Sequence, residues 1–75
     1  MKIVLLVDYS NKEFNRDFSL SNSLIARGHN VFLAVNDNQF NDLAVKCDRV
    51  YLGLSASNRL SDYPNISVID DNINI

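Results

Sequence analysis

The sequence predicts an α/β fold with a mainly parallel sheet. Three continuous apolar runs recur along the chain, at residues 3–7, 31–35 and 50–52. Runs of this kind are typical of strands that helices cover on both faces. The segments between the runs have helical periodicity, and a βαβαβ alternation is characteristic of parallel sheets.

The first strand and the first helix are predicted at residues 2–7 and 11–27. Ser10 and Glu13 have the spacing of a capping box at the start of this helix. Gly28 marks its end, because glycine readily adopts the left-handed conformation that follows a helix. Residues at spacings of three and four are expected to form its buried face: Phe14, Phe18, Ser21, Leu24 and Ile25.

The rest of the chain contains one further helix and three further strands. The second helix is expected to start at the polar residues after the second strand, where Asn36 and Gln39 have capping-box spacing. Residues 54–65 are predicted to form a loop with one helical turn near residues 57–60. The predicted ranges are 30–35 for strand two, 37–46 for helix two, 49–52 for strand three and 66–69 for strand four.

These elements predict a small three-layer, Rossmann-like domain that covers residues 1–75 with two main helices. Right-handed crossovers favour the order 3-2-1 for the first three strands, with the fourth strand beside the third. This order leaves the first strand with an exposed edge, and exposed edges recruit partners. We therefore expect either the N-terminal part of a larger protein or a domain that binds a second copy or a protein partner at this edge.

Composition excludes several classes of function. The formal net charge is −2 with both signs interspersed, so no basic surface is available for nucleic acid. No basic amphipathic helix or long apolar segment predicts membrane insertion. The chain runs from Met1 directly into a strand and has a single cysteine, a combination that predicts a cytoplasmic protein.

Cofactor and metal chemistry are not predicted either. No glycine precedes Gly28, so neither G-x-G-x-x-G nor a P-loop can follow the first strand. One histidine and one cysteine cannot form a usual structural zinc site. Cys47 has no histidine near it in sequence and is expected to be a buried thiol at a helix end.

The strongest candidate site follows the first strand, at Asp8, Tyr9, Ser10 and Asn11. Ligands of open α/β sheets bind at this end of the strands. Asp8 could accept a hydrogen bond from a sugar hydroxyl or act as a base, and Ser10 and Asn11 could contact a polar ligand near the helix start. In the alternative interpretation these residues are structural, with Ser10 capping the helix and Asp8 favoured by its positive end.

Two further residues complete the candidate ligand-binding set. Arg16 lies one turn into the first helix, where it could reach a phosphate or carboxylate near this corner or lie on a solvated face. Asn36 follows the second strand at the same edge of the sheet, where it could line the same cleft or only cap the next helix.

Three segments carry a family resemblance: residues 1–10 (MKIVLLVDYS), 24–33 (LIARGHNVFL) and 48–52 (DRVYL). Over residues 1–53 the chain resembles the opening of GT-B glycosyltransferase-type proteins of bacterial surface polysaccharide biosynthesis. The resemblance implies an acceptor-side domain, with Asp8 to Asn11 beside the acceptor and the nucleotide-sugar donor bound by a second domain. The chain departs from many members of this family by lacking a glycine-rich first loop.

Two functions from different classes therefore remain open. One is part of an enzyme that transfers a glycosyl group from a nucleotide sugar to a growing glycan. The other is a non-enzymatic α/β module that oligomerises or binds a protein partner through its sheet edge. The 75 residues alone contain no complete catalytic set.

Overall fold

A computed structural model describes residues 1–75 and shows an α/β domain with a four-stranded parallel sheet and three helices. The predicted fold class is confirmed at this level. No helix combines the length and the apolar character that crossing a membrane requires. The elements are β1 (Lys2–Leu6), α1 (Phe14–Ala26), β2 (Asn30–Ala34), α2 (Asp37–Ala44), β3 (Arg49–Leu52), the third helix (Leu54–Asp62, of 3₁₀ type) and β4 (Ser67–Val68).

The strand order is β2-β1-β3-β4, which corrects the predicted order 3-2-1. β1 pairs with both β2 and β3, so the exposed edge predicted for the first strand belongs to β2 instead. Burial is consistent with this order, because β1 is buried from Ile3 to Leu6 whereas β2 exposes Asn30 and Phe32. A right-handed crossover can carry β3 to either side of the first pair, and apolar runs alone do not decide between them. β4 lies beside β3, as predicted.

Alternate residues of β1 point to opposite faces of the sheet. The buried residues on the face covered by α1 are Ile3, Leu5, Val7, Leu24, Tyr51 and Ile69. Those on the face covered by α2 and the third helix are Val4, Leu6, Ala34, Phe40, Leu52 and Ala56. The sheet is thus covered on both faces, which gives the three layers that the apolar runs predict.

The buried face of α1 differs from the predicted one. Phe18 and Ile25 are both 51% exposed, whereas Asp17 is buried together with Ser21 and Leu24. These three buried residues share the spacings of three and four that define one helix face. The predicted face is therefore confirmed at Ser21 and Leu24 and wrong at Phe18 and Ile25, and it omitted Asp17 because a carboxylate was not expected on a buried face.

The two ends of α1 have different outcomes. The predicted capping box is wrong, since the helix begins at Phe14 and Glu13 makes no side-chain cap bond. The C-terminal end is confirmed: Gly28 has a φ of 94°, and the N–H of His29 donates to the Leu24 carbonyl at 3.1 Å. This hydrogen bond spans six residues and is expected where a glycine in the left-handed conformation follows a helix.

Candidate functional site

A cleft opens at the carboxyl end of the sheet, between the ends of β1 and β2 and the third helix. Its volume is about 220 Å³. Sites for drug-sized ligands run from roughly 300 to 1,000 Å³, so this cleft suits a single small ring. Its lining residues are Leu6, Val7, Asp8, Tyr9, Val35, Ala56, Asn58 and Arg59.

Asp8 provides the carboxylate of the cleft. Its Oδ1 atom accepts two hydrogen bonds from Ser10, one from the hydroxyl at 2.6 Å and one from the backbone N–H at 3.0 Å. These bonds, chiefly that of the hydroxyl, hold the pKa of Asp8 below its usual range. Oδ2 has no hydrogen-bond partner within the chain. Asp8 is therefore a ready acceptor for a ligand hydroxyl but a weak general base.

Tyr9 and Asn58 supply the other neutral groups of the lining. Tyr9 is 71% exposed, so its ring offers an apolar face to a ligand and its hydroxyl a polar end. Asn58 belongs to the third helix, and its amide can donate and accept hydrogen bonds. Together with Asp8, these side chains can bind a small ligand that has both an apolar face and several hydroxyl groups.

Arg59 is the cation of the cleft, and nearby carboxylates already engage it. Its Nε donates to Asp62 at 2.7 Å, and its Nη2 donates to both oxygens of Asp37 at 3.0 Å. The Tyr63 hydroxyl also donates to Asp37, at 2.6 Å. The hydrogen bonds to Asp62 and Asp37 raise the pKa of Arg59, while Tyr63 and Arg59 lower the pKa of Asp37. This group of four side chains joins the start of α2 to the third helix.

A second place where open α/β sheets bind ligands is the β1/β3 crevice, where successive crossovers diverge. Here the Asp17 side chain of α1 fills that position and is only 1% exposed. It accepts hydrogen bonds from the Leu54 N–H at 2.6 Å, the Ser55 N–H at 2.9 Å and the Ser55 hydroxyl at 2.5 Å. Backbone N–H groups at the start of a helix are the donors that bound phosphates use. The chain's own carboxylate thus occupies the anion position.

Two neighbours hold Asp17 in this place. The Ser55 hydroxyl oxygen also accepts a hydrogen bond from the Asp8 N–H at 2.8 Å, which ties the end of β1 to the third helix. Gly53 leaves the space for the carboxylate, since a Cβ atom there would lie 2.5 Å from Asp17 Oδ2 and 3.0 Å from the Leu6 carbonyl oxygen. Glycine is required at this position by close approach.

Of the six predicted ligand-binding residues, Asp8 and Tyr9 line the cleft. Ser10 instead bonds to Asp8. Asn11 accepts a hydrogen bond from the Glu13 N–H at 2.9 Å. Ser10 and Asn11 therefore order the turn before α1, and Ser10 does not cap the helix as the structural interpretation of this segment expects.

Arg16 and Asn36 lie apart from the cleft lining. Arg16 forms an exposed ion pair with Asp71 at 3.0 Å, beside a separate cavity of about 30 Å³. Asn36 caps α2, where its side chain accepts from the Gln39 N–H at 2.9 Å. Both side chains are thus already engaged within the chain.

Two residues of these sites were not predicted: Asp17 and Arg59. Asp17 shares a helix face with Ser21 and Leu24, and this spacing was the available sign of its burial. Asn58 and Arg59 lie in a segment that was predicted mainly as loop. The spacing of three residues between Arg59 and Asp62, which is favourable within a helix, was the available sign there.

The class of the protein is defined by its own geometry. Comparison with protein-family models, with curated proteins and with solved structures gives no match. No group of three or more His, Cys, Asp or Glu side chains is arranged to hold a metal ion. The chain is a parallel α/β domain with a small polar cleft at the carboxyl end of its sheet.

Proposed function

We propose that the chain is the acceptor-side domain of a glycosyltransferase-like protein of surface polysaccharide biosynthesis, acting in the cytoplasm. The cleft carries the proposal, because it places the free Oδ2 of Asp8 near the exposed Tyr9 ring and the Asn58 amide. A carboxylate and an amide suit sugar hydroxyls, and an aromatic ring suits the apolar face of a sugar. The resemblance of residues 1–53 to GT-B openings adds the reaction class.

The proposal assigns the nucleotide-sugar donor to a second domain. Phosphates require free N–H donors or free cations. In this chain Asp17 fills the anion position of the β1/β3 crevice, and Arg59 is bound to two carboxylates. We also propose that the domain is Rossmann-like. The position of the cleft at the carboxyl end of the sheet supports this, whereas the strand order does not.

The test is a titration of the ¹⁵N-labelled chain with methyl glucoside and methyl galactoside, followed through backbone amide shifts. We expect shifts at Asp8, Tyr9 and Asn58 that saturate. The variant Asp8→Ala should bind more weakly, because it removes the carboxylate that accepts from the ligand. Asp42→Ala, on an exposed position of α2, is the matched control and should bind like the parent. Absence of shifts at the cleft with every sugar would contradict the proposal.

A second candidate, the non-enzymatic module that associates through its sheet edge, is favoured by β2. This strand pairs with β1 on one side only, and Phe32 on it is 38% exposed. Unpaired strand edges accept additional strands from partners. Sedimentation equilibrium tests the self-pairing form of this candidate: we expect self-association that Phe32→Lys weakens, and a strictly monomeric parent chain would count against self-pairing.

A further inference from the structure

We infer that the cleft selects an uncharged sugar and rejects sugars that carry a carboxylate or a phosphate. This inference rests on the proposed function and makes its ligand class specific. Its basis is the distribution of charge around the 220 Å³ space, where the one cation, Arg59, already binds two carboxylates and Asp8 adds a further negative charge.

The first step concerns Arg59, the one cation of the lining. Its Nε and Nη2 both donate to carboxylates, of Asp62 and Asp37 respectively. Asp8 lines the same cleft, so Arg59, its two carboxylate partners and Asp8 together carry a formal charge of −2. An incoming anion therefore meets net repulsion, although Arg59 is present in the wall.

The second step concerns the backbone N–H groups at the start of the third helix. Those of Leu54 and Ser55 both donate to the buried Asp17 carboxylate. An anion that reached this helix end would have to displace a carboxylate that is already held in place. The backbone N–H groups that usually stabilise an anion at a helix start are therefore not available here.

The third step concerns the groups that remain free. Asp8 Oδ2 and Arg59 Nη1 have no hydrogen-bond partner within the chain. Nη1 can donate to a hydroxyl oxygen, and Oδ2 can accept from a hydroxyl, so a neutral hydroxyl group can satisfy either. Asn58 provides one more neutral donor and acceptor. These free groups match the hydroxyls of a neutral polyol, whereas a ligand carboxylate at Nη1 would add a further negative charge beside those already bound to Arg59.

The experiment compares ligands that share one ring and differ in one charge. The ¹⁵N-labelled chain is titrated at low ionic strength with methyl glucoside against methyl glucuronide, and with methyl galactoside against methyl galacturonide. Two unit charges about 4 Å apart in water interact with an energy of about 1 kcal/mol, which corresponds to about fivefold in affinity. We expect each neutral sugar to bind at least about fivefold more tightly than its acidic counterpart, and the ratio to fall at high salt because salt screens exposed charges.

The variant Asp62→Asn tests the cause. It keeps an acceptor oxygen for Arg59 Nε but removes one negative charge, so the neutral-to-acidic ratio should fall by about threefold to fivefold. Asp42→Asn removes an exposed charge outside the lining and should leave the ratio unchanged. Amide spectra of both variants show whether the fold is kept.

The possible outcomes separate the inference from the proposed function. Acidic sugars that bind as tightly as neutral ones, or more tightly, would overturn the charge selection while leaving sugar binding intact. A ratio that Asp62→Asn and Asp42→Asn change equally would also overturn it, because the effect would then be general charge. Failure of all four sugars to shift the cleft amides would remove the proposed function itself.

Discussion

Replacing Asp17 by alanine should destabilise this domain more than removing any exposed carboxylate. The side chain accepts three hydrogen bonds, from the Leu54 N–H and from the N–H and hydroxyl of Ser55. Because Asp17 is only 1% exposed, water does not reach these donors from the surface of the folded protein. The variant Asp17→Ala therefore leaves two backbone donors near the sheet without acceptors.

The expected loss can be worked from these contacts. Each buried donor left without a partner costs about 1–3 kcal/mol, and alanine regains about 0.5 kcal/mol through its helix propensity. We expect a net loss of about 3 kcal/mol from a domain whose 75 residues predict a total of about 4–11 kcal/mol. Ser55→Ala removes one hydrogen bond and the acceptor of the Asp8 N–H, and it should cost about 1–2 kcal/mol.

Urea unfolding followed by circular dichroism measures these losses. The midpoint should fall while the slope with denaturant stays the same, as for a change in stability alone. Asp42→Ala on the exposed face of α2 is the control and should stay within about 0.5 kcal/mol of the parent. If Asp17→Ala does not fold, the milder Ser55→Ala still gives a measurable loss. An Asp17→Ala chain within about 1 kcal/mol of the parent would refute the reasoning, since the orphaned donors would then cost nothing.

Three further predictions concern neighbouring positions. Gly53→Ala places a Cβ atom 2.5 Å from Asp17 Oδ2 and should cost about 1–3 kcal/mol in urea unfolding; the same loss in an Asp17→Ala background would show that the clash is not its cause. Tyr63 and Arg59 lower the pKa of Asp37 from its ordinary 3.8, so its contribution to stability is present above about pH 4 and is lost as the pH falls through the lowered pKa. Asp37→Asn should therefore flatten the decline of stability in acid, and an unchanged acid profile would contradict this. Burial raises the pKa of the Cys47 thiol, so a thiol reagent should react more slowly with the folded chain than with the urea-unfolded chain at about pH 8; equal rates would contradict it.

Local patterns predicted the elements well because each is determined by nearby residues. The apolar run of β1 and the glycine at position 28 both act within a few residues, and both were confirmed. The strand order depends on which side of β1 receives β3, a choice made by packing across the whole sheet. The residue patterns of the two strands do not reveal this choice, since β1 begins with Lys2 and β2 with Asn30, and four apolar residues follow in each.

The cleft was only half predictable for the same reason. Asp8 and Tyr9 follow the central strand directly, so their place at the carboxyl end of the sheet follows from the element order. Asn58 and Arg59 reach the cleft through the third helix, whose position depends on β3 lying beside β1. Asp17 was missed because burial of a carboxylate is disfavoured unless donors are supplied, and its donors lie 37 and 38 residues away.

The Asp17 carboxylate behaves as a ligand that the chain carries with it. A group anchored on a packed helix competes at an effective concentration far above that of a free anion, so dissolved phosphate or sulfate cannot displace it. Replacing Asp17 by alanine would leave a vacancy, an empty space beside the N–H groups of Leu54 and Ser55. Anions that bind the vacancy in the folded state alone would then stabilise the variant, and its melting temperature would rise with sulfate concentration more steeply than that of the parent chain.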